Sequence, residues 1–254
     1  MILARRFLAP ILGIVGFLIV WELFVRIFDV RRYVLLAPSK ILAQLFEAPG
    51  FYWDNTLITA GHMLLGLSIS MVLALIVGAA LASSRFAEEA AQPILVLILV
   101  TPWVAYFGSV KVWLGLGVSP IIFLAAFTAF PVLTFGVIGG MRAADPAARE
   151  LLASVNARPW EVLWFLRLPA ALPSIFTTAR FAVGMTLAAT YYSESRTLRT
   201  TGLGAIGSRA ELRPLTAAEV VWTTVFCTAA LGIIGLVGIS LAERVVLKWH
   251  ASQR

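Results

Sequence analysis

Few residues in this chain could do chemistry, and they stand far apart. The two histidines are His62 and His250, and the single cysteine, Cys227, lies in an apolar run. A metal centre needs several His, Cys, Asp or Glu side chains at ligand spacing, and a nucleophile needs a base within reach. Neither pattern occurs, so no catalytic residue, metal site or cofactor is predicted. The phosphate-cradling motif G-x-x-x-x-G-K-[ST] is also missing, which leaves no expectation of ATP hydrolysis within the chain. What remains are charges inside apolar runs, which are costly in hydrocarbon and mark paired or functional positions. Glu22 and Arg26 are spaced i, i+4 with the acid first, the favourable order for an ion pair. Arg180 and Glu194 share one later run but lie about 21 Å apart along a helix, so they cannot meet. Each needs a partner on another helix, or water in a pathway. With Pro102, Trp103 and Tyr191 they form a set of candidate pathway or gate residues. Tyr191 and Tyr192 read more simply as an aromatic belt at a membrane interface.

The elements that must position these residues follow from composition. The chain has 254 residues, 60% hydrophobic and 13% charged, against roughly 45–50% and 25% for a soluble domain. Its mean hydropathy is +0.92. That much apolar surface requires lipid as solvent, so the chain reads as an all-α membrane protein forming a single transmembrane domain over residues 1–254. The net charge of +7 and pI near 10.2 come from arginines scattered between apolar runs. They form no basic stripe with interleaved aromatics, which argues against a nucleic-acid partner. The N-terminal apolar run is too long for a signal-peptide core, and no small-residue cleavage site follows, so it reads as an uncleaved anchor.

Apolar runs near 8–28, 57–83, 90–107, 118–140, 173–193 and 218–243 are each long enough for a spanning helix, giving an expectation of six. The third is short and carries Pro102 near its middle, a kink signal. Small residues in the second (Gly78, Ala82) and sixth (Gly232, Gly235, Gly238) suit close helix packing, either within the chain or against a second copy. With six spans both termini share a side. Arg5, Arg6, Arg85, Arg142, Arg149, Arg158, Arg167, Arg244, Lys248 and Arg254 then face the N-terminal side. Arg31, Arg32, Lys40, Lys111, Arg196, Arg199, Arg209 and Arg213 face the other. The bias is too small to fix the orientation.

The longest polar interruption, about 142–172, has local order written into it. Asp145 can cap a helix that Pro146 starts, and Asn156 suits a left-handed stop. Leu151, Leu152 and Val155 fall on one side of that helix. Pro159 begins a second short helix, "PWEVLWFLRL", which Pro169 stops. Both helices are too short to span. They read either as a docking element or as interfacial helices held on the membrane by Trp160 and Trp164.

This loop resembles that of the inner-membrane permease subunits of binding-protein-dependent ABC importers, E-A-A-x3-G-x9-I-x-L-P. Glu150 stands at the acid, Leu151 and Leu152 at the alanines, and Asn156 at the glycine. Leu166 takes the aliphatic position, and Leu168-Pro169 the closing pair. Leu-Leu adds bulk where the family keeps a close contact, and Asn can keep the turn that Gly makes. "TPWVAYFGSVKVWLGLG" (101–117), "SESRTLRTTGLGAIG" (193–207) and "LAERVVLKWH" (241–250) resemble other segments of the sulfonate, taurine and nitrate branch. The resemblance implies a type I importer permease in a bacterial inner membrane, with the loop and both termini cytoplasmic. It implies that Glu150, Leu151, Leu152, Val155, Asn156, Ala157, Pro159, Trp160, Leu168 and Pro169 form an ATPase-coupling loop. The partners implied are nucleotide-binding ATPase subunits, a second permease copy and an extracytoplasmic substrate-binding protein. The cargo implied is a small polar solute such as a sulfonate, taurine, nitrate or a related anion, or a vitamin precursor. The alternative is a secondary transporter working without an ATPase, which needs a broken or charged midplane helix and an internal repeat. Pro102 is a partial match to that requirement.

Overall fold

The computed structural model describes residues 2–248, so His250 and Arg254 lie outside the described residues. Every regular element among them is helical. The order is α1 (Ile2–Ile27), α2 (Pro38–Glu47), α3 (Pro49–Ser83), α4 (Arg85–Val100), α5 (Trp103–Leu114) and α6 (Ser119–Arg142). Then come α7 (Pro146–Ser154), α8 (Pro159–Val162), a π-turn at Leu163–Arg167, α9 (Leu168–Ser195), α10 (Leu203–Glu211) and α11 (Ala218–Val246). Four helices are long and apolar enough to cross a membrane: Pro49–Ser83, Ser119–Arg142, Pro159–Ser195 and Ala218–Val246. Counting the bent pair α4 and α5 as one span makes five. α1 is a 26-residue helix with many exposed apolar side chains, among them Leu12, Phe17, Val20 and Ile27, while Val25 is buried.

The core is the seam where α6 packs between α3 and α9. Helices in lipid gain no hydrophobic drive from meeting one another, so close packing must hold them, and small residues make close packing possible. Ala74, Ala129, Ala179 and Ala182 share one cluster with Leu67, Leu133 and Val183. A methyl group on Gly66 would come within 2.5 Å of the Ala125 side chain, and one on Gly140 within 2.7 Å of the Ala171 backbone. Outward-facing residues are large and apolar instead, such as Leu64, Val72 and Ile76 on α3 and Ile233, Ile234 and Val237 on α11. Several threonines inside the seam satisfy their hydroxyls along their own helix. Thr134 donates to the Phe130 carbonyl at 2.7 Å and Thr190 to that of Thr186 at 2.8 Å, as hydroxyls do where no water competes.

Two expectations about proline need correction. The predicted third span, 90–107, is not a kinked helix. α4 and α5 are separate and lie at 94° to one another. The residue before a proline avoids helical backbone, and Thr101 is extended at ψ 128 with Pro102 at ψ 110. Thr101 also turns its hydroxyl back to the Leu97 carbonyl at 2.7 Å. The second correction concerns Pro169, which does not stop a helix. The chain runs from α8 through the π-turn into α9 without a break, the Leu168 N–H reaching back to Leu163. The wider turn absorbs the donor that Pro169 lacks and the bulk of its ring.

The small-residue faces serve this chain's own packing. Gly78 lies against Val137, Gly235 against Val183 and Gly232 near Leu187, whereas Gly238 faces open space.

Candidate functional site

The loop between α6 and α9 folds as its residues dictate. The Asp145 carboxylate accepts from the Ala147 N–H at 3.0 Å and caps α7, with Pro146 in its first turn. At the other end Asn156 takes φ +54. The Asn156 N–H donates to the Ala153 carbonyl at 3.0 Å and the Ala157 N–H to that of Leu152 at 2.9 Å. That paired pattern is a Schellman stop, with Asn in the left-handed position usually held by Gly. Glu161 then accepts from the Arg158 N–H at 2.6 Å, and Pro159 opens α8.

The loop's side chains divide differently from the sequence expectation. Leu151 and Val155 are 66% and 68% exposed, but Leu152 is half-buried, so the three do not form one equally presented face. Glu150 is exposed. Arg149 and Ala153, one turn apart on α7, and Ala157 just past its stop line a cleft with Pro159 and Trp160 from α8 and Ala79 and Ser83 from α3. Trp160, Trp164 and Phe165 are exposed. Leu168 packs beside the cluster of Val137, Met141, Ala171 and Ile175, which ties the loop's end to the bundle.

At the opposite end of α9 lies a buried polar centre. Glu194 is 0% exposed. Its Oε2 accepts from the Thr59 hydroxyl at 2.8 Å and from the Gly204 N–H at 3.0 Å. Its Oε1 lies 2.8 Å from His62 Nδ1. Asn55 Oδ1 accepts from the Gly202 N–H at 2.7 Å, and Thr59 Oγ1 accepts from the Leu203 N–H at 2.8 Å. Asn55, Thr59 and His62 share one face of α3 through their spacing. Asn55, Thr59 and Glu194 satisfy three successive N–H groups where α10 begins, groups that no helix can satisfy for itself, and His62 holds the Glu194 carboxylate. This explains the GLG sequence. Gly202 takes φ +102 with Glu194 packed against it, and a methyl on Gly204 would lie 2.0 Å from the Tyr191 carbonyl oxygen.

The structure thus supplies partners that sequence left open. Glu194 pairs with His62. Arg180 pairs with Glu243 of α11. Both contacts join different helices, the Arg180 one as an ion pair and the His62 one as a buried hydrogen bond. Glu22 and Arg26 meet at 2.6 Å as expected, and Glu22 also accepts from the Ser39 N–H at 3.0 Å. The belt reading of the tyrosines is corrected. Tyr191 packs with Tyr52, Leu203, Ile206 and Cys227, its hydroxyl 3.3 Å from that of Thr224. Tyr192 meets the Trp103 ring edge-on at 5.3 Å and Phe107 at 5.8 Å. Trp103, just beyond the Pro102 break, is therefore joined to α9. Neither His62 nor Glu243 stood out as a partner in the sequence; the unmet need of Glu194 and Arg180 was the signal for both.

Residues 66–249 match the family described as the binding-protein-dependent transport system inner membrane component. The chain is 28% identical over 239 residues to the putative aliphatic sulfonates transport permease protein SsuC of Escherichia coli, covering 93% of this chain and 89% of that one. It is 24% identical over 255 residues to the taurine transport system permease protein TauC of E. coli, covering 98% and 92%. It is 26% identical over 254 residues to the riboflavin transport system permease protein RibX of Chloroflexus aurantiacus, covering 98% and 94%. The chain belongs to this family of ABC transporter permeases, a family of transport subunits in membranes.

Proposed function

We propose that the chain is the spanning subunit of an ATP-driven importer, coupled through α7 to a separate ATPase. The observation that carries this reading is Leu151 and Val155, exposed on a helix capped at both ends and set outside the apolar seam. A rigid, capped helix transmits displacement as a body. Beyond the Asn156 turn, α8 runs through the π-turn into α9, which gives that displacement a route to the Glu194 centre at the far end, and such a bundle needs only two packed states to alternate access. On this reading α1 and the α4–α5 pair complete six spans, the loop and both termini are cytoplasmic, and residues 1–254 act as one permease domain. Two copies form the pathway, and a binding protein delivers the solute from outside. Relatives named for aliphatic sulfonates, taurine and riboflavin support a small polar solute, with small sulfonate-like anions favoured. The test is Leu151→Asp on the affinity-purified complex. A carboxylate pressed into an apolar groove of a partner costs several kcal/mol, so the ATPase is expected to be lost while the permease stays monodisperse. Full retention of the ATPase by a monodisperse variant refutes α7 as the docking element.

A further inference from the structure

The loop end of the bundle gathers basic residues that the coupling reading does not use. Arg85 from α4, Arg142 from the end of α6, Arg149 from α7 and Arg167 from the π-turn line one cavity of about 350 Å³. Two of them have carboxylate partners. Arg142 pairs with Glu88, and Arg85 with Glu89 at 3.3 Å. Arg149 and Arg167 have no carboxylate in ion-pair contact among the described residues. Arg167 is half-buried, donates to the Ala82 carbonyl at 3.3 Å, and shares the cavity wall with Arg149 and Arg142. Two like charges without a carboxylate partner on one cavity wall repel, and an anion between them offsets that cost. Guanidinium forks match the oxygens of a phosphate in pairs. The cavity wall also includes Ala82, Met141 and Leu166, and it opens where α3 and α6 both end, the level at which a spanning bundle meets lipid headgroups.

We propose that this cavity binds a phosphate-bearing anion, held chiefly by Arg149 and Arg167, and that its occupant braces α7 against the ends of α3 and α6. Two sources share that chemistry: the headgroup of an anionic phospholipid, for which basic pockets between helix ends are suited, and free inorganic phosphate. The site is independent of ATPase docking, since Leu151 and Val155 lie outside its lining. The experiment follows thermal unfolding of the full-length chain by tryptophan fluorescence in two arms. One compares phosphate with chloride at matched ionic strength in detergent; the other compares nanodiscs of phosphatidylglycerol with nanodiscs of phosphatidylcholine. The expected result is a rise in midpoint of several degrees in one or both arms. A rise with phosphatidylglycerol alone assigns the lipid, and a rise with both assigns the free anion as well. R149Q/R167Q is expected to abolish the rise and R213Q, at the far end of the bundle, to keep it. R149Q alone alters only an exposed side chain, folds as the parent does, and is expected to reduce the rise. An undiminished rise in both R149Q and R149Q/R167Q, or no rise for the parent in either arm, overturns the proposal.

Discussion

Glu194→Ala tests whether the buried polar centre holds α10 in place. The substitution removes the acceptor for the Gly204 N–H and the Thr59 hydroxyl, and the partner of His62, at 3.0, 2.8 and 2.8 Å. Each buried group left without a partner costs about 1–3 kcal/mol. The three act as one network, so their costs do not add in full. Removing one member of a buried pair costs about 3–5 kcal/mol, and that range is the expectation here. Glu194→Gln keeps the shape and one acceptor oxygen and exchanges charge-assisted bonds for neutral ones. Its expected cost is about 1–2 kcal/mol. For a chain of this size about 1 kcal/mol shifts the unfolding midpoint by about 2–4 °C. The Ala variant should therefore unfold about 6–20 °C below the parent, with Gln in between. The assay is thermal unfolding of the purified chain in detergent, read by its tryptophan fluorescence. A double-mutant cycle with His62→Ala should return a coupling of about 0.5–3 kcal/mol. Parent-like unfolding of Glu194→Ala, or strict additivity in the cycle, refutes the network as a stabilising element.

Three further outcomes are expected. Asn156→Gly should be neutral in stability and transport, whereas Asn156→Val should cost about 1–2 kcal/mol because a β-branched residue resists the left-handed conformation; equal transport by the two variants would count against the turn. Gly204→Ala must displace the Tyr191 backbone, so it should cost about 1–3 kcal/mol as overpacking does, and a parent-like melting curve would contradict that contact. In a Cys227→Ala background, Ala147→Cys should be shielded from an impermeant thiol reagent in intact cells and Leu212→Cys labelled, both positions being exposed; the reverse pattern would invert the proposed orientation.

Elements governed by local rules were legible from sequence. The stretches 118–140 and 218–243 became helices 119–142 and 218–246, because one apolar period repeated without interruption leaves the backbone no other way to satisfy itself in lipid. The 57–83 stretch became a helix that starts earlier, at Pro49. Asp145, Pro146 and Asn156 set the ends of α7, since caps and left-handed stops depend on a few neighbouring residues. The prolines were read less well. A proline fixes φ and removes a donor, but whether the chain breaks, as at Pro102, or widens into a π-turn, as at Pro169, depends on what packs against the turn.

What only the tertiary structure decided is which distant groups meet. The sequence required partners for Glu194 and Arg180 without naming His62 or Glu243, which lie 132 and 63 residues away along the chain. Tyr191 and Tyr192 have the amphipathic character of belt residues, yet packing turned them inward onto Leu203 and Trp103. Likewise Arg85, Arg142, Arg149 and Arg167 read as separate flanking charges until the ends of α4, α6 and α7 brought them around one cavity. Local backbone preference is set by nearest neighbours and survives in a linear reading. Side-chain partnership is set by helix crossing, and the crossing exists only once the small residues of α3, α6 and α9 have closed on one another.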